Sequence, residues 1–231
     1  MMLARLWQAV TNTKLLSEEE VEAQGEEKEQ RNAASAAVTL SASQKPLTEW
    51  LRECEGKHIV DKTFPRPLSE LMKLLYSDDS FYSNFQKDRG TTELDIGAWE
   101  VEPETGAKAR DLTYSVALNN YIFVGPKSCQ VKETQVLKEM SPEVKMFSVD
   151  TEADNSGVPY ADSFSVLTHN CLLEVGPESS RLIAKAEIKF KRELWGFLKD
   201  KIEAILLADI TNYYESLTSS LETFQDSKPQ Q

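Results

Sequence analysis

The spacing of apolar residues in this 231-residue chain predicts an α+β helix-grip fold. That means a strongly curved, mostly antiparallel sheet of about seven strands around one long C-terminal helix, with two short helices after the first strand. Period-two alternation recurs between about Thr91 and Lys191, and a Pro-free stretch from Leu194 to about Phe224 repeats apolar residues three and four apart. The 40% hydrophobic content is enough to give one such unit a core.

Taken from the N-terminus, Leu3, Leu6, Trp7 and Val10 have helical spacing, but the segment is too short for a domain. Residues 17 to about 44 turn to Glu, Gln, Ala and Ser, with almost nothing to bury, and read as a disordered acidic linker. Leu47, Trp50, Leu51 and Cys54 suggest a short helix before the domain proper. The first strand is His58 to Phe64, ended by Pro65 and Pro67; neither can sit in a central ladder, and Pro67 suits the first position of a helix. Leu68, Leu71, Met72, Leu74 and Leu75 give that helix its apolar face, and Phe81, Tyr82 and Phe85 give the next one theirs.

Strands follow at roughly 91–101, 112–118, 127–140, 145–154, 164–175 and 181–190. Leu112, Tyr114, Val116 and Leu118 alternate with polar neighbours, as do Leu182, Ala184, Ala186, Ile188 and Phe190, so one face of the sheet is wet. The last helix is roughly 45 Å long at 1.5 Å per residue and lies on the other face. Sheet and helix tend to leave a hollow between them.

Charge and cysteines exclude several functions. A net charge of -12 excludes a general nucleic-acid binder, which needs clustered Lys and Arg. One stretch departs from this acidity: Lys185, Lys189, Lys191, Arg192, Lys199 and Lys201 outnumber Glu187, Glu193 and Asp200. It reads either as an edge that meets an anionic membrane or as a solvated face. Cys54, Cys129 and Cys171 are odd in number and widely spaced, which fits a reducing, cytosolic setting better than a disulfide framework. No stretch approaches 18 uninterrupted apolar residues.

Catalytic and metal signatures are missing. His58 and His169 are the two histidines, and His169 shares a strand face with Cys171 without the further ligands zinc requires. There is no Walker A loop, GxGxxG or GxSxG, so the expectation is no catalysis, no metal and no cofactor.

Several ordered motifs carry a family resemblance. The run from Gly125-Pro126-Lys127-Ser128-Cys129 to Val136-Leu137 joins the apolar Tyr121-Ile122-Phe123-Val124 to a long strand. Gly90-Thr91-Thr92 with Trp99, Arg110-x-Leu112-x-Tyr114, Val158-Pro159-Tyr160 with Asp162 and Phe164, and Trp195-Gly196-Phe197-Leu198-Lys199 with Ile202-Glu203 accompany it. Together they resemble the VASt domain, the StART-like module of the sterol transporters called Aster in animals and Lam in yeast. Leu3-Ala4-Arg5-Leu6-Trp7-Gln8 resembles the closing helix of a GRAM domain, which precedes VASt domains in these proteins.

The resemblance implies four segments: 1–16 a GRAM remnant, 17–56 a mostly disordered acidic linker, 57–225 the lipid-binding domain and 226–231 a tail. It implies a sterol ligand, transient contact with an anionic membrane surface, and a monomeric domain without nucleic acid. The location implied is the cytosolic face of the endoplasmic reticulum at plasma-membrane contacts. Members usually carry a transmembrane anchor after the domain, so a chain ending at Gln231 reads as a fragment or a soluble form.

Site residues follow from parity and from the family position. Asn120, Tyr121, Ile122, Phe123, Val124 and Gly125 are expected to form a lid, although the family places two fewer residues between the Asn and the Pro-Lys pair than Asn119 to Pro126 shows. Glu133 and Gln135 share parity with Cys129, Val131 and Leu137 and point inward. Gln135 is the expected partner of a sterol hydroxyl, directly or through water, with satisfaction by backbone as the alternative. Tyr114, Val116, Phe164, Phe197, Ile202 and Leu206 are expected cavity walls, Trp99 and Trp195 structural anchors, and Lys189, Lys191 and Arg192 the membrane-facing basic set. The same fold carrying another hydrophobic ligand, or a non-transferring interaction scaffold, are the alternatives.

Overall fold

Backbone chemistry punctuates the chain from its start. The computed structural model describes residues 44–77, 80–117, 128–141, 145–158 and 160–224. Helix α1 (Gln44–Glu53) precedes strand β1 (Lys57–Phe64), and Gly56 bridges them at φ +97, where a Cβ would lie 2.7 Å from the Ala186 carbonyl oxygen. Pro65 and Pro67 end β1, and α2 (Leu68–Tyr76) opens directly after Pro67, which takes the N-cap rather than the first helical position. Leu68, Leu71, Leu74 and Leu75 fill its buried face, and α3 (Ser80–Asp88) buries Phe81, Tyr82, Phe85 and Gln86.

The remaining strands are β2 (Thr91–Ile96), β3 (Glu100–Val101), β4 (Lys108–Ala117), β5 (Ser128–Ser141), β6 (Met146–Ser156), β7 (Phe164–Gly176) and β8 (Ser179–Phe190). A 3-10 turn, Ala161–Ser163, leads into β7. The sheet order is β1-β8-β7-β6-β5-β4-β2, with β3 on β4 and every pairing antiparallel. Eight strands replace about seven because the run 91–101 divides in two. Gly97 donates to the Asp111 carbonyl at 2.8 Å, where a Cβ would collide with that same oxygen, and the ladder resumes at Glu100.

Helix α4 (Gly196–Thr223) runs along β1 and β8 and buries Ile202, Leu206, Ile210, Tyr214, Leu217 and Leu221. Asp209 and Thr218 lie on the same buried face. Its last carbonyls are capped from afar: the Arg66 guanidinium donates to Leu221 O at 2.6 Å and Phe224 O at 3.2 Å, where a cation also meets the negative end of the helix dipole. The main core lies between α4, α2, α3 and the concave sheet face.

The convex face is not wholly wet. Trp50 of α1 packs with Met146, Cys171, Leu173 and Ile183 in a second cluster, and Lys185 Nζ donates to the α1-end carbonyls Leu51 O (2.8 Å) and Cys54 O (2.7 Å). The packed unit therefore takes in Gln44–Glu53, ahead of the His58 at which the sequence places the start of the domain. Among the described residues no helix is long and apolar enough to cross a membrane.

Candidate functional site: a half-polar hollow

Between α4, the α2–α3 pair and the concave face of the sheet lies a cavity of about 160 Å³. An apolar arc comes from Leu75, Val116, Val166, Leu182, Ile210 and Leu217. The rest of the wall is polar, and hydrogen bonds order it.

The first chain of bonds crosses β4 and β5, where the register sets Arg110 opposite Gln135 and Leu112 opposite Glu133. Arg110 Nε donates to Gln135 Oε1 at 2.9 Å, Gln135 Nε2 donates to Glu133 Oε1 at 2.6 Å, and Tyr114 OH donates to Glu133 Oε2 at 3.0 Å. The Arg110 guanidinium also lies 4.4 Å from the ring centre of Trp99, whose indole N–H donates to Tyr76 O at 3.0 Å. Trp99 thus ties β4 to the end of α2, as expected of a structural anchor. Burial pushes the Glu133 carboxyl above its ordinary value, against the opposing pull of Gln135, Tyr114 and Arg110.

A second chain lies at α3, where Thr91 donates to Gln86 Oε1 at 3.2 Å and Gln86 Nε2 to Tyr82 OH at 2.7 Å. A third joins α4 to β7, with Tyr214 OH donating to Asn170 Oδ1 at 2.7 Å. Tyr213 packs edge-on against Phe85 and Tyr214, with the Arg89 guanidinium 5.2 Å from its ring centre. Desolvation raises the phenols of Tyr76, Tyr82, Tyr114 and Tyr213 well above their ordinary value, and pushes Tyr214 up to about 12.

The sequence-named residues divide. Tyr114, Val116, Glu133 and Gln135 line the hollow. Phe164, Ile202 and Leu206 do not: all three are completely buried in the solid core, because the upper half of α4 packs directly on the sheet. Phe197 is no wall either, being 57% exposed in the first turn of α4, and neighbouring Trp195 is 77% exposed rather than an anchor. Gln135 accepts from Arg110 at its carbonyl and donates to Glu133 from its amide, which ties it into the network and leaves one lone pair and one N–H of the side chain beyond these two bonds. Asn120 to Gly125 lie outside the described residues.

The basic set is compensated. Lys189 lies 4.0 Å from Glu152, Lys191 2.6 Å from Asp154 and Arg192 2.6 Å from Asp162. Exposed pairs of this kind contribute about 0–1 kcal/mol, yet they cancel much of the local positive field. The sequence reading left out Tyr76, Gln86, Asn170, Asp209 and Tyr214, and gave Tyr82 to a helix face alone; all six are on the wall. Asp209 carried a readable signal, since it falls three residues after Leu206 on the buried stripe of the helix.

His169 does not meet Cys171; its Nδ1 lies 2.9 Å from Asp150 Oδ1, while Cys171 packs under Trp50. Burial pushes the Cys171 thiol up to about 12 and the Cys54 thiol up to about 11, far from the thiolate a nucleophile requires. Among the described residues no group of three His, Cys, Asp or Glu side chains could hold a metal ion.

A curved antiparallel sheet gripping a long helix over an internal hollow defines a helix-grip cavity domain. The model of the VAD1 Analog of StAR-related lipid transfer domain (VASt) matches residues 58–208, and the chain belongs to that family, whose class of activity is the binding and transfer of lipid. Mouse Protein Aster-A is 29% identical over 175 residues, which cover 76% of this chain and 24% of the relative. Human Protein Aster-B is 28% identical over 169 residues, covering 73% and 22%. The chain thus spans about a quarter of the length of these curated relatives. Among solved structures, the human StarD13 (DLC2) lipid transfer and protein localization domain is 12% identical at a TM-score of 0.35, covering 78% of this chain and 98% of that one.

Proposed function

We propose that this domain binds a sterol in the hollow between sheet and α4 and transfers it between membranes at contacts of the endoplasmic reticulum with the plasma membrane. The observation that carries the reading is a partly open cavity between sheet and helix with an apolar arc on one side and the Tyr114–Glu133 pair on the other. Burying the ring system contributes about 25 cal/mol per Å² of apolar area, which makes the site competitive with a bilayer. Tyr114 donates to Glu133 and keeps lone pairs free, so a ligand hydroxyl can donate to the phenol. Exchange of this kind involves no bond making, and the domain acts as a carrier rather than an enzyme.

At about 160 Å³ the hollow is smaller than the roughly 300–1,000 Å³ usual for ligand pockets, so a four-ring ligand must displace part of the wall. In this reading Asn120–Gly125 act as the lid, and Lys189, Lys191 and Arg192 exchange their carboxylate partners for lipid phosphates at a membrane. The density of tyrosine, amide and carboxylate groups on the wall favours, as a second reading, a hydrophobic ligand with more than one polar group.

Extraction and transfer of a fluorescent sterol between liposomes tests both. Transfer supports the sterol; extraction of a different lipid alone supports the second reading; failure with every lipid supports a scaffold without transfer. Phe123→Asp should slow transfer while leaving the fold intact, and unchanged transfer removes the lid assignment.

A further inference from the structure

Trp195 and Phe197 present two aromatic rings to solvent with centres 6.3 Å apart. They are the most exposed of the Trp, Phe and Tyr side chains on the described surface, at 77% and 57%. Among the described residues each ring's aromatic contact is with the other. The backbone below them is nevertheless fixed. Lys191 N–H donates to Ser163 O at 2.7 Å, Arg192 reaches Ser163 Oγ at 3.0 Å and Asp162 at 2.6 Å, and Lys199 Nζ lies 5.2 Å from the ring centre of Phe190.

Register locates the pair. Phe190 closes β8 opposite Phe164 at the start of β7, and following the ladders across the sheet brings Ser156, Ser128 and Ala117 to the same rim. The wall of the hollow reaches this rim at Thr91 and Val116, which pair with each other. Next to the rings in the chain are Lys189, Lys191, Arg192, Lys199 and Lys201, with Glu193 and Asp200 among them and Glu152, Asp154 and Asp162 brought in by ion pairs to the first three. The two signs balance, and the chain as a whole is at -12, so attraction to an anionic surface is weak. A balanced set of charges next to exposed tryptophan and phenylalanine matches a zwitterionic headgroup layer, where amphipathic aromatic rings partition and cations meet phosphates.

We propose that Trp195 and Phe197 form an aromatic wedge that inserts into the interfacial layer of a phosphatidylcholine bilayer and seats this rim of the domain on the membrane. The proposal rests on the lipid-carrier reading and adds the element that makes contact.

Flotation of the full chain with phosphatidylcholine vesicles tests it, alongside sterol binding measured without vesicles. Wild type should float. W195A/F197A should partition at least about tenfold more weakly, since each buried aromatic contributes that much or more, while its sterol binding and circular dichroism stay unchanged. W195F should still float but lose most of the quenching by brominated phosphatidylcholine, which assigns the signal to Trp195 rather than Trp7, Trp50 or Trp99. Unaltered flotation of the double variant, quenching that persists in W195F, or wild-type binding only when phosphatidylserine is added overturns the wedge. A wild-type dimer that the double variant dissociates overturns it too, by assigning the rings to a second copy. Sterol binding without flotation sinks the wedge and spares the carrier; flotation without sterol binding does the reverse.

Discussion

Glu133 is a carboxylate that the fold keeps in an environment hostile to its charge. Desolvation lifts its pKa, and the Gln135 amide, the Tyr114 hydroxyl and Arg110 recover only part of the difference. A carboxyl whose folded pKa stands above its unfolded one adds stability fully below the unfolded value and loses it as pH rises through the folded value. Glutamine at this position has no proton to lose. The advantage of wild type over Glu133→Gln should therefore shrink as pH climbs from roughly 4 towards 8, read as the difference in Tm across the series. A difference that stays flat means that Glu133 ionises as it would in water. Parity along β5 was enough to turn Glu133 and Gln135 inward. It was not enough to show that Arg110, opposite Gln135 on the next strand, donates to its side-chain carbonyl, because a cross-strand partner is a property of register.

Among the elements, α1 separates what periodicity reveals from what it hides. The two short helices after β1, the long α4 and the strand pattern all follow from local signals: prolines at the end of β1, leucines three and four apart, alternation in β4 and β8. Docking of α1 on the convex face did not, because Ile183, Cys171, Leu173 and Met146 come from three strands distant in sequence and meet only when the sheet is assembled. Ile202 and Leu206 lie in the packed core rather than on the hollow for a related reason: helical spacing marks a buried stripe without saying which part of it meets side chains and which part meets a hollow. Trp50→Ala should leave a void under α1 and cost about 3 kcal/mol in chemical denaturation. Hydrogen exchange should show protection lost across Gln44–Glu53 and retained in α4. Equal loss in both helices would mean that α1 belongs to the main cooperative unit rather than to a satellite of it.

At the scale of the whole molecule, the hollow sets stability against function. A cavity of about 160 Å³ forgoes packing that a filled core would have, at roughly 24 cal/mol per Å³ of void, less whatever its polar wall regains from water. Ala153 offers the cleanest place to test the trade, since it lies 8% exposed on the central strand β6 and its methyl group faces the space. Ala153→Leu adds three carbons towards the void beside Glu133, the residue it pairs with across β5 and β6. The variant should unfold at a higher temperature, by an amount equivalent to about 1 kcal/mol, and should extract sterol several-fold less well. Added sterol should raise the Tm of wild type in proportion to its binding and raise that of the variant much less, because only ligand held by the folded state shifts the equilibrium. If Ala153→Leu gains stability and still extracts sterol as wild type does, the ligand lies elsewhere than between sheet and α4. If it loses stability instead, the wall, with Glu133 opposite Ala153, is already in contact on the β6 side, and the space a sterol needs must come from movement of α4 or of the α2–α3 pair.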